Sequence, residues 1–258
     1  FATFLLELYK RMAEQASLKE LYLDVTGRAV LNSIYAEDES VLQTTKPDDE
    51  VKPSWRKHFI DGKVHSMLSP KRIQKIRTLI EDCIERGIPG DFVECGVWRG
   101  GACIYARAVL KANGVTDRCV WVADSFEGLP PPNAAAHPVD AVMHSMELIV
   151  DSNHLKVTQE DVRRNFQRYD LLDDQVKFLP GWFSSSLPGP IKHLCVLRLD
   201  GDYYESTMDA LKALYPVLSP GGYVIVDDWG ISQWCCARQA VEDFIRANDI
   251  HTTIVHTD

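Results

Sequence analysis

No stretch of the 258-residue chain stays apolar for the length a bilayer span needs, and no basic start, short apolar core and small-residue cleavage site mark a secretory signal. Neither a membrane-embedded nor a secreted protein is therefore expected, and a reducing cytoplasm is the expected location. Excess basic charge is also missing. Lys and Arg total 28 against 37 Asp and Glu, a formal net charge of -9, so nucleic acid and anionic membrane surfaces are poor partners. Cysteine pairs at zinc-ligand spacing are absent as well. The seven cysteines are an odd number, and Cys83, Cys95, Cys103, Cys119 and Cys195 fall in apolar patterns where a thiol packs as a small hydrophobe. Only the adjacent Cys235 and Cys236 stand close enough in sequence to suggest a redox or ligand pair.

What is present is the material of a large α/β domain, with 45% hydrophobic and 25% charged residues. Residues 1–68 read as an N-terminal helical extension and linker: Phe1, Phe4, Leu5, Leu8 and Met12 recur at helical spacing, an apolar stretch runs from Leu21 to Ile34, and an acidic segment with Pro47 and Pro53 follows. Ser69 and Pro70 then look like the cap and first position of a helix with Ile73, Ile76, Ile80 and Ile84 on one face, ended by Gly87. From residue 91 strands and helices alternate. Strands are expected at 91–97, 119–124, 175–180, 194–199, 222–227 and 251–256, and helices at 100–112, 158–169, 205–218 and 233–247. That order predicts a doubly wound, mostly parallel sheet over residues 69–258, covered on both faces. Residues 127–156, with Pro130, Pro131, Pro132 and Pro138 and no clean period, interrupt the alternation and are expected to be a lid.

"CVWVAD", "LCVLRLD" and "YVIVDD" are apolar strands that each finish on Asp. Ligands of such sheets bind beyond the carboxyl ends of the strands, so Asp124, Asp200 and Asp227 should converge on one crevice. In "DFVECGVWRGG" a Gly after the first strand permits a tight turn before a helix whose free N–H groups can face a ligand. A dinucleotide fingerprint does not fit, because Trp98 stands where its second Gly belongs. The spacing of Glu94, Gly96 and Gly100 instead resembles the first motif of class I S-adenosylmethionine-dependent methyltransferases. Asp124 could accept hydrogen bonds from both ribose hydroxyls of a nucleoside.

Asp200 and Asp202 follow the fourth strand, and Asp227 and Asp228 follow the fifth. In a sheet ordered 3-2-1-4-5 those strand ends are neighbours. Carboxylates gathered without Lys or Arg partners repel one another unless a cation offsets them, and all-oxygen ligands select Mg²⁺, Mn²⁺ or Ca²⁺. The bland alternative is that Asp202 and Asp228 cap helices.

"PGDFVECGVWRGGACIYARAVLKANGVTDRCVWVADSFEGLP", "NFQRYDLLDDQVKFLPGWF", "LRLDGDYYESTMDALKALYP" and "PGGYVIVDD" together resemble the macrocin O-methyltransferase family of antibiotic pathways. The resemblance implies methyl transfer from S-adenosylmethionine to a deoxysugar hydroxyl, assisted by Mg²⁺, on a sugar carried by a natural product or a nucleotide. It implies donor contacts from Glu94, Gly96, Gly100, Asp124, Ser125, Phe126, Gly181 and Trp182, and metal binding by Asp200, Asp227 and Asp228. Asp200 is the first expected base and Asp202 the second, with His137 or His144 behind them. The extension and lid would shape the acceptor pocket and the contacts of a homo-oligomer. Two other classes stand against this: a Mg²⁺-dependent phosphatase using the Asp-x-Asp of "LDGDYYEST", and a non-catalytic nucleotide-binding module.

Overall fold

The structure is a computed structural model that describes residues 18–35, 58–59, 63–145, 152–230 and 236–257. The first expected helix, at 1–12, and the acidic stretch around Pro47 and Pro53 lie outside the described residues. Helix α1 spans residues 18–30. Helix α2 (Pro70–Glu85) begins as expected, with Ser69 Oγ accepting from the amide of Arg72 at 3.2 Å and Pro70 in the first turn. Its buried face is Ile73, Ile76, Ile80 and Cys83.

Five strands, β1 (Asp91–Cys95), β2 (Val120–Asp124), β3 (Val176–Pro180), β4 (Leu194–Leu199) and β5 (Leu218–Val226), form one sheet in the order β3-β2-β1-β4-β5. All four neighbouring pairs are parallel, and the predicted doubly wound order is observed. The connecting helices are α3 (Gly101–Ala112), α4 (Pro138–His144), α5 (Gln159–Arg168), α6 (Phe183–Ser186), α7 (Tyr204–Leu214) and α8 (Cys236–Ala247). Strand alternation sends neighbouring residues into opposite layers. Phe92 and Val196 join α2, α3 and α5 in one core, whereas Val93, Leu197 and Leu199 join α7 and α8 in the other. Leu23, Val30 and Leu31 enter the first core too, so the described part of the N-terminal extension is packed on the sheet domain.

Three expected elements need correction. Helix 205–218 ends at Leu214, because Pro216 lacks an N–H and disfavours the helical conformation before it, and a 3₁₀ turn takes over at Tyr215–Val217. The fifth strand starts at Leu218 rather than 222, absorbing the Pro-Gly-Gly turn as a shift in register against β4. The strand expected at 251–256 does not form. Those six residues are exposed and carry no ladder partner among the described residues, and β-branched propensity needs an edge to pair with.

Candidate active site

The carboxyl ends of β1, β2 and β3 meet around Asp124. Its Oδ2 accepts from the amide of Val97 at 2.7 Å and its Oδ1 from the amide of Phe126 at 2.7 Å. Burial raises the Asp124 pKa, and the amides of Val97, Phe126 and Trp98 and the hydroxyl of Ser125 work against that shift. The amide of Gly181 donates to the Asp124 carbonyl at 2.9 Å and that of Gly96 to Ala123 at 2.9 Å. Gly96, Asp124, Ser125, Phe126, Gly181 and Trp182 are thus brought together. Within this group, Ser125 Oγ spends its bonds on the turn, donating to Gly128 O at 2.9 Å and accepting from Glu127 N at 3.0 Å. The Phe126 ring lies in the core beside Phe178, centroids 6.2 Å apart, which leaves its backbone for a ligand. Trp182 is half-buried, but Phe183 belongs to the second core.

Gly96 has φ 89°, and a Cβ there would stand 1.9 Å from the carbonyl oxygen of Asp200. The tight turn expected here thus lets the chain's own backbone come close, locking the end of β1 to the end of β4. Gly100, at φ 83°, caps α3, and its Cβ would meet Val162 of α5 at 2.7 Å. Trp98, Phe126 and Asp202 adopt left-handed φ of 48°, 59° and 58° without being glycine. Such strain is tolerated where the surroundings over-determine a conformation, and all three sit at this edge of the sheet.

The acid cluster forms at the ends of β4 and β5. Asp200, Asp227 and Asp228 each offer an oxygen, and the three atoms lie within 4.8 Å of one another. The premise that these acids lack basic partners is wrong. Arg198, only 1% exposed, donates to Asp200 Oδ2 at 2.8 Å, to Asp227 Oδ1 at 2.6 Å and to Glu94 Oε1. Arg72 adds a bond to Asp227 Oδ2 at 3.2 Å. Burial opposes the charge on Arg198, but Asp200, Asp227 and Glu94 outweigh it and raise its pKa well above the ordinary value. An Arg inside the otherwise apolar "LCVLRLD" was the signal for this partner.

Glu94 is 2% exposed, and its second oxygen accepts from Cys103 Sγ at 2.9 Å. Burial pushes its pKa up to about 7 against the pull of Arg198. Its side chain therefore ties the end of β1 to the acid cluster.

Two guanidinium groups do not neutralise five carboxylates. Burial first, then the neighbouring acids, push Asp200 to about 6 and Asp202 to about 7, and raise Asp228 well above the usual carboxylate range. Asp228 Oδ2 is buried with no hydrogen-bond partner among the described residues. An orphaned buried carboxylate oxygen beside two other oxygen donors fits a hard divalent cation.

The helix-cap alternative fails for Asp202. Tyr203 occupies the N-cap position of α7, and the cap comes instead from Asp140, which accepts from the amides of Tyr204 and Glu205. His137 and His144 are not simply solvated either: the first stacks on Tyr204 and the second lies 2.6 Å from the Tyr203 hydroxyl. Cys83, Cys95, Cys103 and Cys195 are buried free thiols, Cys236 is buried with its Sγ donating to the Val139 carbonyl at 3.8 Å, and Cys235 lies outside the described residues. The sequence reasoning missed His65 as well. Its carbonyl accepts from Gly101 N at 2.9 Å, its Nδ1 lies 2.7 Å from Tyr169 OH, and burial lowers its pKa to about 4.

Comparison with known proteins agrees with this geometry. A family model described as Macrocin-O-methyltransferase (TylF) matches residues 6–258. A tetracenomycin-type 4'-O-methyltransferase of Streptomyces olivaceus, named for a 2,3-dimethoxy-alpha-L-rhamnosyl compound, is 48% identical over 236 residues, 90% of this chain and 87% of that protein. The demethyldecarbamoylnovobiocin O-methyltransferase of Streptomyces niveus is 43% identical over 248 residues, 95% and 93% of the two chains. The mycinamicin III 3''-O-methyltransferase of Micromonospora griseorubida is 44% identical over 245 residues, 93% of each. Among solved structures, the O-methyltransferase NovP superposes with a TM-score of 0.79 at 43% identity, covering 93% of this chain and 96% of that one. Against the phosphatase, the Asp-x-Asp motif follows the fourth strand of the sheet instead of the first. The chain is an O-methyltransferase and belongs to the macrocin O-methyltransferase family.

Proposed function

We propose that the protein transfers a methyl group from S-adenosylmethionine to a sugar hydroxyl of a glycosylated natural product or a sugar nucleotide, with a Mg²⁺ ion held by Asp200, Asp227 and Asp228. The observation that carries the metal is the clustering of one oxygen each from Asp200, Asp227 and Asp228 within 4.8 Å of one another, together with a buried Asp228 Oδ2 that has no hydrogen-bond partner among the described residues. The relatives' names support a sugar acceptor, one specifying a rhamnosyl group, without agreeing on the molecule that bears it.

The donor would lie against the Gly96–Gly100 turn and the Gly181–Trp182 turn, with its ribose on Asp124. Asp124 is fixed for that role by its bonds from the amides of Val97 and Phe126. A methyl on a sulfonium is already electrophilic, so the residues' task is to orient an oxygen in line with it and remove one proton. A bound divalent cation lowers the pKa of a hydroxyl it coordinates. Asp200, oriented by Arg198, takes that proton as oxygen bonds to the methyl carbon and the carbon–sulfur bond breaks. Asp202, held near neutrality, is the second candidate.

Calorimetric titration with S-adenosylmethionine, with Mg²⁺ and again with chelator, tests the reading. Binding in both, followed by metal-dependent methylation of sugar-bearing acceptors that Asp200→Asn abolishes in a folded protein, is expected. Absence of donor binding to the folded chain would remove the assignment of the Asp124 corner. Methylation that a chelator leaves unchanged would remove the metal.

A further inference from the structure

Helix α7 leads the chain away from the acid cluster, yet its own N-cap residue, Tyr203, makes no side-chain hydrogen bond to it. Its first amides are satisfied from another part of the chain. Asp140, 64 positions before Tyr204, accepts from Tyr204 N at 2.7 Å and from Glu205 N at 3.1 Å, and is 0% exposed. A carboxylate there satisfies two otherwise orphaned donors and faces the positive end of the helix dipole.

Asp140 belongs to α4, inside the Pro-rich segment expected to be a lid. The same helix makes three further contacts with the start of α7. His144 Nδ1 lies 2.6 Å from Tyr203 OH, the His137 ring stacks on Tyr204 with centroids 4.8 Å apart, and Met143 packs with Tyr203 and Cys236. Every α7-side partner lies within the three residues after Asp202. Asp202 itself holds φ 58°, a conformation a non-Gly residue keeps only when its surroundings enforce it.

We propose that Asp140 is a positioning residue: by capping α7 from the lid segment it holds the Asp200–Asp202 turn in its working conformation, so that lid docking and assembly of the acid cluster are one cooperative event. The role of the turn rests on the methyl-transfer reading above, but the coupling does not.

The test compares the full-length protein with Asp140→Ala and Asp140→Asn by amide hydrogen exchange, by Mn²⁺ titration followed by electron paramagnetic resonance, and by calorimetric titration with S-adenosylmethionine. In Asp140→Ala, exchange should accelerate by the same factor at Tyr204, Glu205 and residues 138–144. Its Mn²⁺ dissociation constant should rise about fivefold to tenfold, the size of a lost cap, while donor affinity stays within about twofold. Asp140→Asn keeps one acceptor oxygen but turns its NH₂ toward the second amide, so its exchange and Mn²⁺ affinity should again change together, in the same direction as in Asp140→Ala. Faster exchange in 138–144 alone, with Mn²⁺ affinity intact, overturns the proposal in either variant. If the parent protein binds no Mn²⁺, the metal assignment fails by itself, and joint or separate exchange of the two segments still decides the coupling. Should Asp140→Ala not fold, Tyr203→Phe removes the phenol contact to His144 and must loosen both segments together; loosening of 138–144 alone overturns the proposal.

Discussion

The two halves of the sheet's carboxyl edge solve the burial of acids in opposite ways. Around β1 and β2, Asp124 is surrounded by donors, with both oxygens on backbone amides of tight turns. Around β4 and β5, Asp200, Asp202, Asp227 and Asp228 outnumber their donors, and Asp228 keeps an oxygen with no partner among the described residues. A satisfied corner is rigid and ready to receive a ligand through hydrogen bonds. An undersatisfied one stores repulsion that a cation relieves. Arg198 and Glu94 tie the end of β1 to the acids of β4 and β5.

Breaking that join should have the largest effect. Arg198→Met leaves buried acids without their guanidinium and should cost on the order of 3–5 kcal/mol in denaturant unfolding. Adding Glu94→Gln to it should recover part of the loss, and additive losses would show that the two residues do not act as a pair.

The β1–β2 half can be sharpened through His65, whose backbone carbonyl supports the start of α3 and whose buried ring lies against Tyr169. Its folded pKa of about 4 lies below the ordinary 6.5, so the unfolded chain binds the extra proton. The stabilisation is present above pH 6.5 and is lost as pH falls toward 4, by about 3 kcal/mol at most, given 1.36 kcal/mol per pKa unit. His65→Gln should flatten the difference in stability between pH 7 and pH 4.5, and an unchanged slope would exclude a buried neutral His65.

The comparison itself stands or falls on sign. Asp124→Asn turns an NH₂ toward a backbone amide and should lower stability by about 1–3 kcal/mol. Asp228→Asn should do the reverse. Its folded pKa is raised, so the metal-free fold loses stability as pH climbs past the ordinary carboxylate range; removing the titrating group should leave the metal-free protein more stable than the parent at pH 8. The same variant should lose the rise in Tm that Mg²⁺ gives the parent. Equal signs for the two substitutions in thermal melts would erase the distinction between the halves.

Much of this edge was legible from residue order. Apolar strands that end on Asp, a Gly where the first strand turns, and strict strand–helix alternation are local signals, and they put Asp124, Asp200 and Asp227 at the ends of strands. Asp140 was not legible, because its cap is made across 64 residues and a lone Asp in a Pro-rich stretch looks like any turn residue. The misplaced end strand at 251–256 shows the same limit: alternation tells that a segment can be a strand, but a ladder needs an edge within reach.

The amino-acid sequence determined by itself the parallel sheet, its family and the three strand-end acids, since periodicity, turn residues and motif spacing act over a few neighbours. Only the tertiary structure decided which charges meet. Arg198, Glu94 and the acids of β4 and β5 come from strands far apart in the chain, and how far they neutralise one another depends on distances and burial that exist only once the sheet has closed.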